Sequence, residues 1–181
     1  WSSDVCSPDL PAPLIYDFSG FPDRYYRQQY APPGAPDVAA AVRGLLAPHV
    51  PVLEDPSRGL DHGAYVPLVA MYPEAHVPVL QVSLPTQDPQ ALWSLGRRLA
   101  PLRDDGVLIV GSGFLTHNLR AVDWGPSPSV PAWADEFDRW AAAALAEKDV
   151  DSLLDYRHRA PGVRVALPTH RSEEHTSELQ S

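Results

Sequence analysis

Strands alternating with helices predict an α/β fold for this chain: a single three-layer domain with a mainly parallel central sheet flanked by helices, incomplete at both ends. Three features carry that expectation. The run Gly106-Val-Leu-Ile-Val-Gly111 is continuous and β-branched, as in strands buried on both faces of a parallel sheet. Val77-Pro-Val-Leu-Gln-Val-Ser-Leu84 reads as a second buried strand. Segments with helical apolar spacing lie before, between and after these runs.

In order, residues 11–35 are rich in Pro, Gly and aromatics, which rules out a long helix because Pro lacks an N–H and fixes φ. The stretch predicts an ordered loop with one helical turn near residues 23–28. Pro36-Asp37 then opens a helix through Ala47, with Val38, Val42, Leu45 and Leu46 on one side and Pro48 stopping it. Residues 50–53 are a short strand candidate. Residues 63–71 form an apolar helix ending at Tyr72-Pro73. A helix over 88–102 carries the stripe Leu92, Leu95, Leu99 and Leu102, and a longer one over 131–147 carries Trp133, Phe137, Trp140 and Leu145. One more turn is predicted at 151–156.

The two ends read differently. Residues 1–10 have no helical or strand period, and 171–181 form a polar tail continuing nothing before it. Both resemble translated sequencing-adapter read-through and are expected to be non-native. The domain is therefore placed at residues 11–170. The chain of 181 residues has a formal net charge of −9; each end segment carries −2, so the body carries −5 and contains no cysteine. That acidity argues against nucleic acid, which calls for clustered Lys and Arg. No apolar run reaches the roughly 18 residues that span a membrane. The single cysteine, Cys6, permits no internal disulfide, which fits a cytoplasmic location.

Ligands in α/β sheets sit beyond the carboxyl ends of the strands. The block Gly111-Ser-Gly-Phe-Leu-Thr-His117-Asn118-Leu-Arg120 follows the strongest predicted strand, so His117 is a candidate catalytic residue. Position alone leaves it open between that role and a hydrogen-bonded turn histidine. Arg58-Gly-Leu-Asp61-His62-Gly63 precedes the apolar helix. Asp61 is a candidate cap, and His62 can reach a site at the helix start; a plain turn with a cap explains the same residues. His49, His76 and His158 lie in surface-like contexts. No HExxH or Walker loop occurs. Ser112 lacks the glycines two residues away on each side that a nucleophile elbow has, which weighs against a hydrolase.

Seven segments, in order, carry a resemblance. They are Tyr16-Asp-Phe-Ser-Gly-Phe-Pro22, Tyr30-Ala-Pro-Pro-Gly-Ala-Pro36, Gly59-Leu-Asp-His-Gly63, Met71-Tyr-Pro-Glu-Ala75, Val79-Leu-Gln-Val-Ser-Leu84, Leu102-Arg-Asp-Asp-Gly106 and Ser112-Gly-Phe-Leu-Thr-His-Asn-Leu-Arg120. Together they resemble class III, LigB-type extradiol ring-cleaving dioxygenases of the DOPA-dioxygenase-like branch, over roughly residues 14–170. The resemblance implies a non-haem Fe(II) enzyme, with zinc in some members, that opens a catechol beside its two hydroxyls using O2. It implies that His117 is the acid/base residue and that His62 lines the same pocket. Asn118, Arg120 and Asp61 are implied as supporting residues, and a homodimer as the assembly.

The metal ligands are not assigned. The family takes one histidine from a Gly-His-Gly-Ser-like turn and one from a Ser-Ala-His-Trp-like strand end, both of which belong before Leu14, and a third from a Glu-His pair after Pro168-Thr169, where this chain has His170-Arg171. His170 fits that place only by a register shift. The chain is therefore expected to be an inactive, poorly soluble fragment of a dioxygenase. The alternative is a non-catalytic binding module of the same fold that never carried the metal.

Overall fold

In the computed structural model of the chain, the described residues are 3–6, as backbone, and 13–167. The chain divides into two compact units between Gly113 and Phe114.

The first unit is built on two helices and a small sheet. Helix α1 (Pro36–Leu46) starts with Pro at its first position, where a missing N–H costs nothing. It buries Val42 and Leu46. Helix α3 (Pro89–Leu99) is capped by Asp88, whose Oδ1 accepts from the Ala91 N–H at 2.7 Å. A 3-10 turn, Ala100–Arg103, carries the predicted leucine stripe on to Leu102. Val42, Leu46, Leu95 and Leu102 form the centre of this core, with Val38, Val50, Val52, Leu80, Val82 and Val107 packed against it.

Three strands lie in the order β2–β1–β3. Strand β1 (Ser3–Cys6) is central, parallel to β2 (Val52–Glu54) and antiparallel to β3 (Gln81–Val82). The architecture is thus α/β with several helices and few strands, one strand pair being parallel and the other antiparallel. The central strand comes from the segment that sequence reasoning set aside, because a residue can pair by its backbone whatever its side-chain period.

Two strand expectations change. Residues 107–110 form no strand, and Leu108, Ile109 and Val110 are exposed. An apolar run becomes a strand only beside a partner, and none lies along it among the described residues. The segment 77–84 pairs only at Gln81–Val82, with Val79 bridging separately to Gly34.

A second core cluster of the same unit sits under the loop that opens the described chain. Tyr30, Leu60 and Tyr65 are buried there, with Leu14, Tyr16, Phe18, Leu68 and Val79 around them. Tyr65 and Leu68 belong to helix α2 (His62–Met71). Gly59 is required where the loop crosses it: a Cβ there would stand 1.7 Å from the Pro13 carbonyl oxygen.

The second unit is helical. Helix α4 (Ala132–Glu147) buries Phe137, Ala141 and Ala144 and ends at Lys148, in the left-handed conformation at φ 56°. Leu145 of the predicted apolar set is instead exposed. Short helices α5 (Val150–Leu154), α6 (Tyr156–Arg159) and α7 (Val163–Ala166) follow. Ala160 and Ala166 complete the core with Phe137 and Ala141, and Trp133, Trp140 and Tyr156 flank it. Gly162, at φ 64°, lets the chain turn into α7 against Trp133.

Candidate active site

In the first unit the candidate residues gather at the start of α2. Asp61 is its N-cap, with Oδ1 accepting from the Ala64 N–H at 3.2 Å. Its other oxygen accepts from Gln81 Nε2 at 2.5 Å and from Arg58 at 3.3 and 3.4 Å. The Asp61 N–H donates in turn to Gln81 Oε1 at 3.3 Å. Asp61 therefore caps α2, as its position predicts, and through Gln81 also joins β3 to that helix, which fixes where the next residue stands.

That next residue is His62. Its Nδ1 lies 2.6 Å from Asp17 Oδ1, and its backbone N–H donates to the same oxygen at 3.2 Å. The Phe18 ring meets the imidazole edge-on, with centroids 5.8 Å apart and planes at 82°. Tyr16 contacts Tyr65 in a similar T-shape and donates its hydroxyl to the Gln28 carbonyl at 2.5 Å. The Asp17 and His62 side chains are about half exposed, at 41% and 52%, so solvent reaches the pair.

Partial burial raises the Asp17 carboxyl. The hydrogen bonds from the His62 ring and backbone and the imidazole's charge outweigh it and leave the group below its ordinary value. Tyr65 goes the other way: burial, then the nearby Tyr16 and Asp17, push its hydroxyl above the usual tyrosine range. That hydroxyl is buried and has no hydrogen-bond partner among the described residues.

Ser112 proves to have a structural job. Its hydroxyl donates to the Gly63 carbonyl. Pro67 sits inside α2, four residues on, and has no N–H to give that carbonyl. Ser112 replaces the missing donor.

His117, Asn118 and Arg120 belong to the second unit. The His117 N–H donates to the Ala166 carbonyl at 2.9 Å, and Asn118 Nδ2 donates to the Val165 carbonyl at 2.7 Å. Both bonds tie the loop to the end of α7. The His117 ring is exposed, and Arg120 is exposed in a 3-10 turn, Leu119–Ala121. His49, His76 and His158 are also exposed; His76 lies 3.8 Å from Glu74, and His158 lies 2.6 Å from Asp155. His170 lies outside the described residues.

Sequence reasoning named Asp61 and His62 together but passed over Asp17. The signal was present in Tyr16-Asp-Phe-Ser-Gly, a block quoted for its resemblance and given no role. Asp17 is 45 residues from His62, so spacing could not join them.

Among the described residues no three His, Cys, Asp or Glu side chains converge to hold a metal ion. They therefore do not fit a non-haem iron site, which takes three protein ligands. No helix among them is long and apolar enough to cross a membrane.

Fold and sequence agree on the class. The profile of the family described as the catalytic LigB subunit of aromatic ring-opening dioxygenase matches residues 5–174. The chain belongs to this family, whose members generally use a non-haem metal. It is 44% identical over 157 residues to a 4,5-DOPA dioxygenase extradiol of Beta vulgaris, covering 85% of this chain and 58% of that protein. A protein of the same name from Escherichia coli (strain K12) is 41% identical over 134 residues, covering 74% of this chain and 49% of that one. A crystal structure of an uncharacterized protein, JW3007, from Escherichia coli K12 matches with a TM-score of 0.76 at 32% identity, covering 93% of this chain and 65% of the other. The chain thus spans about half to two thirds of the length of these relatives.

Proposed function

We propose that the protein of which this chain is part opens a catechol ring beside its two hydroxyls with O2. What supports this reading most is the similarity to several proteins named 4,5-DOPA dioxygenase extradiol, at 37–44% identity. The substrate class is then a small catechol, and the metal is Fe(II), with zinc as the alternative. We place the metal ligands outside the described residues. We also infer a homodimer, a cytoplasmic location, and a larger, mainly parallel three-layer sheet once the remaining chain is present.

The chemistry attributed to the described residues is proton transfer. A neutral imidazole has one nitrogen that can accept a proton and one that can donate, which suits it to proton transfer. His117 takes a proton from a catechol hydroxyl and returns one as the ring opens. His62 contacts the substrate, with Asp61 holding the turn that carries it. Asn118 pins the His117 loop to α7, and Arg120 supports it.

The test uses the complete protein with its native flanking sequence, loaded with Fe(II), and follows O2 uptake with DOPA and simpler catechols. Catechol-dependent uptake is expected. Replacing His117 by Ala should lower kcat by about 100-fold or more, the scale of lost acid/base catalysis. No uptake with any catechol, or full activity in His117→Ala, would overturn the reading.

A further inference from the structure

A neutral imidazole has one N–H and one open nitrogen, and its partner decides which is which. In this chain the partner of His62 Nδ1 is a carboxylate, an acceptor only, at 2.6 Å. The same Asp17 oxygen also accepts the His62 backbone N–H at 3.2 Å. Ring and main chain are thus held by one atom, and Phe18 closes against the ring edge-on. The Tyr16-Asp-Phe-Ser-Gly loop supplies both Asp17 and Phe18.

We propose that Asp17 is a positioning residue for His62: it holds the imidazole in the Nδ1–H tautomer and leaves Nε2 as the open acceptor for an aromatic hydroxyl. The role of His62 toward a phenolic substrate rests on the ring-cleavage reading above. The tautomer itself does not. A carboxylate near the first turn of a helix also stabilises that helix, so a capping role alone would explain the backbone bond. It would not require the ring bond, and the two roles separate experimentally.

The experiment is nitrogen NMR of the histidine side chains in the full chain, at a pH where imidazoles are neutral, with His62 assigned by the signal lost in His62→Gln. Nδ1–H with an unprotonated Nε2 is expected at His62. In Asp17→Leu, which removes the acceptor but keeps the branched side-chain shape, the signal should move to a mixture of tautomers. An Nε2–H tautomer in the unaltered chain overturns the proposal, and that reading needs no variant to fold. An unchanged Nδ1–H tautomer in a folded Asp17→Leu overturns it too. In the complete protein, Asp17→Leu should lower kcat/KM for the catechol on the order of tenfold, because part of the His62 population then presents an N–H where the substrate hydroxyl needs an acceptor. A His62 held as Nδ1–H in a complete protein that consumes no O2 with any catechol supports the pair and overturns only the ring-cleavage reading.

Discussion

At the scale of single residues, the molecule's electrostatics are local and carried by a few aspartates. Asp17 is held below its ordinary value once the His62 hydrogen bonds outweigh burial. Asp149 and Asp155 are held down by their hydrogen bonds with Ser152 and His158. A carboxyl whose pKa falls on folding stabilises the fold above its unfolded value, about 3.9 for Asp, and loses that contribution as pH drops through the folded value. The stability difference between the unaltered chain and Asp17→Leu should therefore be full at about pH 5 and shrink below about pH 4. Urea titrations at a series of pH values read it directly. The difference isolates Asp17 because the other aspartates are common to both proteins, and a constant gap down to acid pH would mean the pair is not ionic. Asp61 and His62 were legible from their place before an apolar helix. Asp17 was not, because a contact across 45 residues leaves no periodic trace.

Among the elements, helices were legible and strands only in part: the candidates at 50–53 and 77–84 overlap β2 and β3, but the strongest candidate and the central strand were misjudged. Pro36 and Pro89 at helix starts, Asp88 and Asp61 as caps, and leucines at helical spacing are all encoded within a few residues of where they act. A strand depends on a neighbour that may lie anywhere in the chain. Hence the β-branched run 107–110 is no strand, while the aperiodic Ser3–Cys6 lies at the centre of a sheet. Helix α2 shows a third case, a helix completed from outside itself. Ser112 donates to the Gly63 carbonyl that Pro67 cannot reach. Ser112→Ala should cost about 1 kcal/mol, the net worth of a typical hydrogen bond. The cost should shrink in a Pro67→Ala background, where the new N–H reaches Gly63 directly. Denaturant midpoints of the two single variants and the double variant give the coupling. Additive costs would show that the hydroxyl does not stand in for the proline's missing donor.

For the whole molecule, the apolar surface is the governing feature. In the first unit Leu108 is 64% exposed, and the adjoining Ile109 and Val110 are exposed too. Consecutive exposed apolar residues of this kind favour association. Leu108→Lys should raise the soluble, monomeric fraction in sedimentation or light scattering without lowering the melting temperature, because Leu108 lies outside the buried core. If the fraction is unchanged, association begins elsewhere. The sheet has a further consequence, for its rim. In the order β2–β1–β3 the middle strand is paired on both sides, Ser3 with Val52 and Val5 with Val82, while β2 and β3 each keep one backbone edge unpaired within this sheet. Unpaired edges are templates on which a further strand can add, so these two short outer strands are where the sheet can grow.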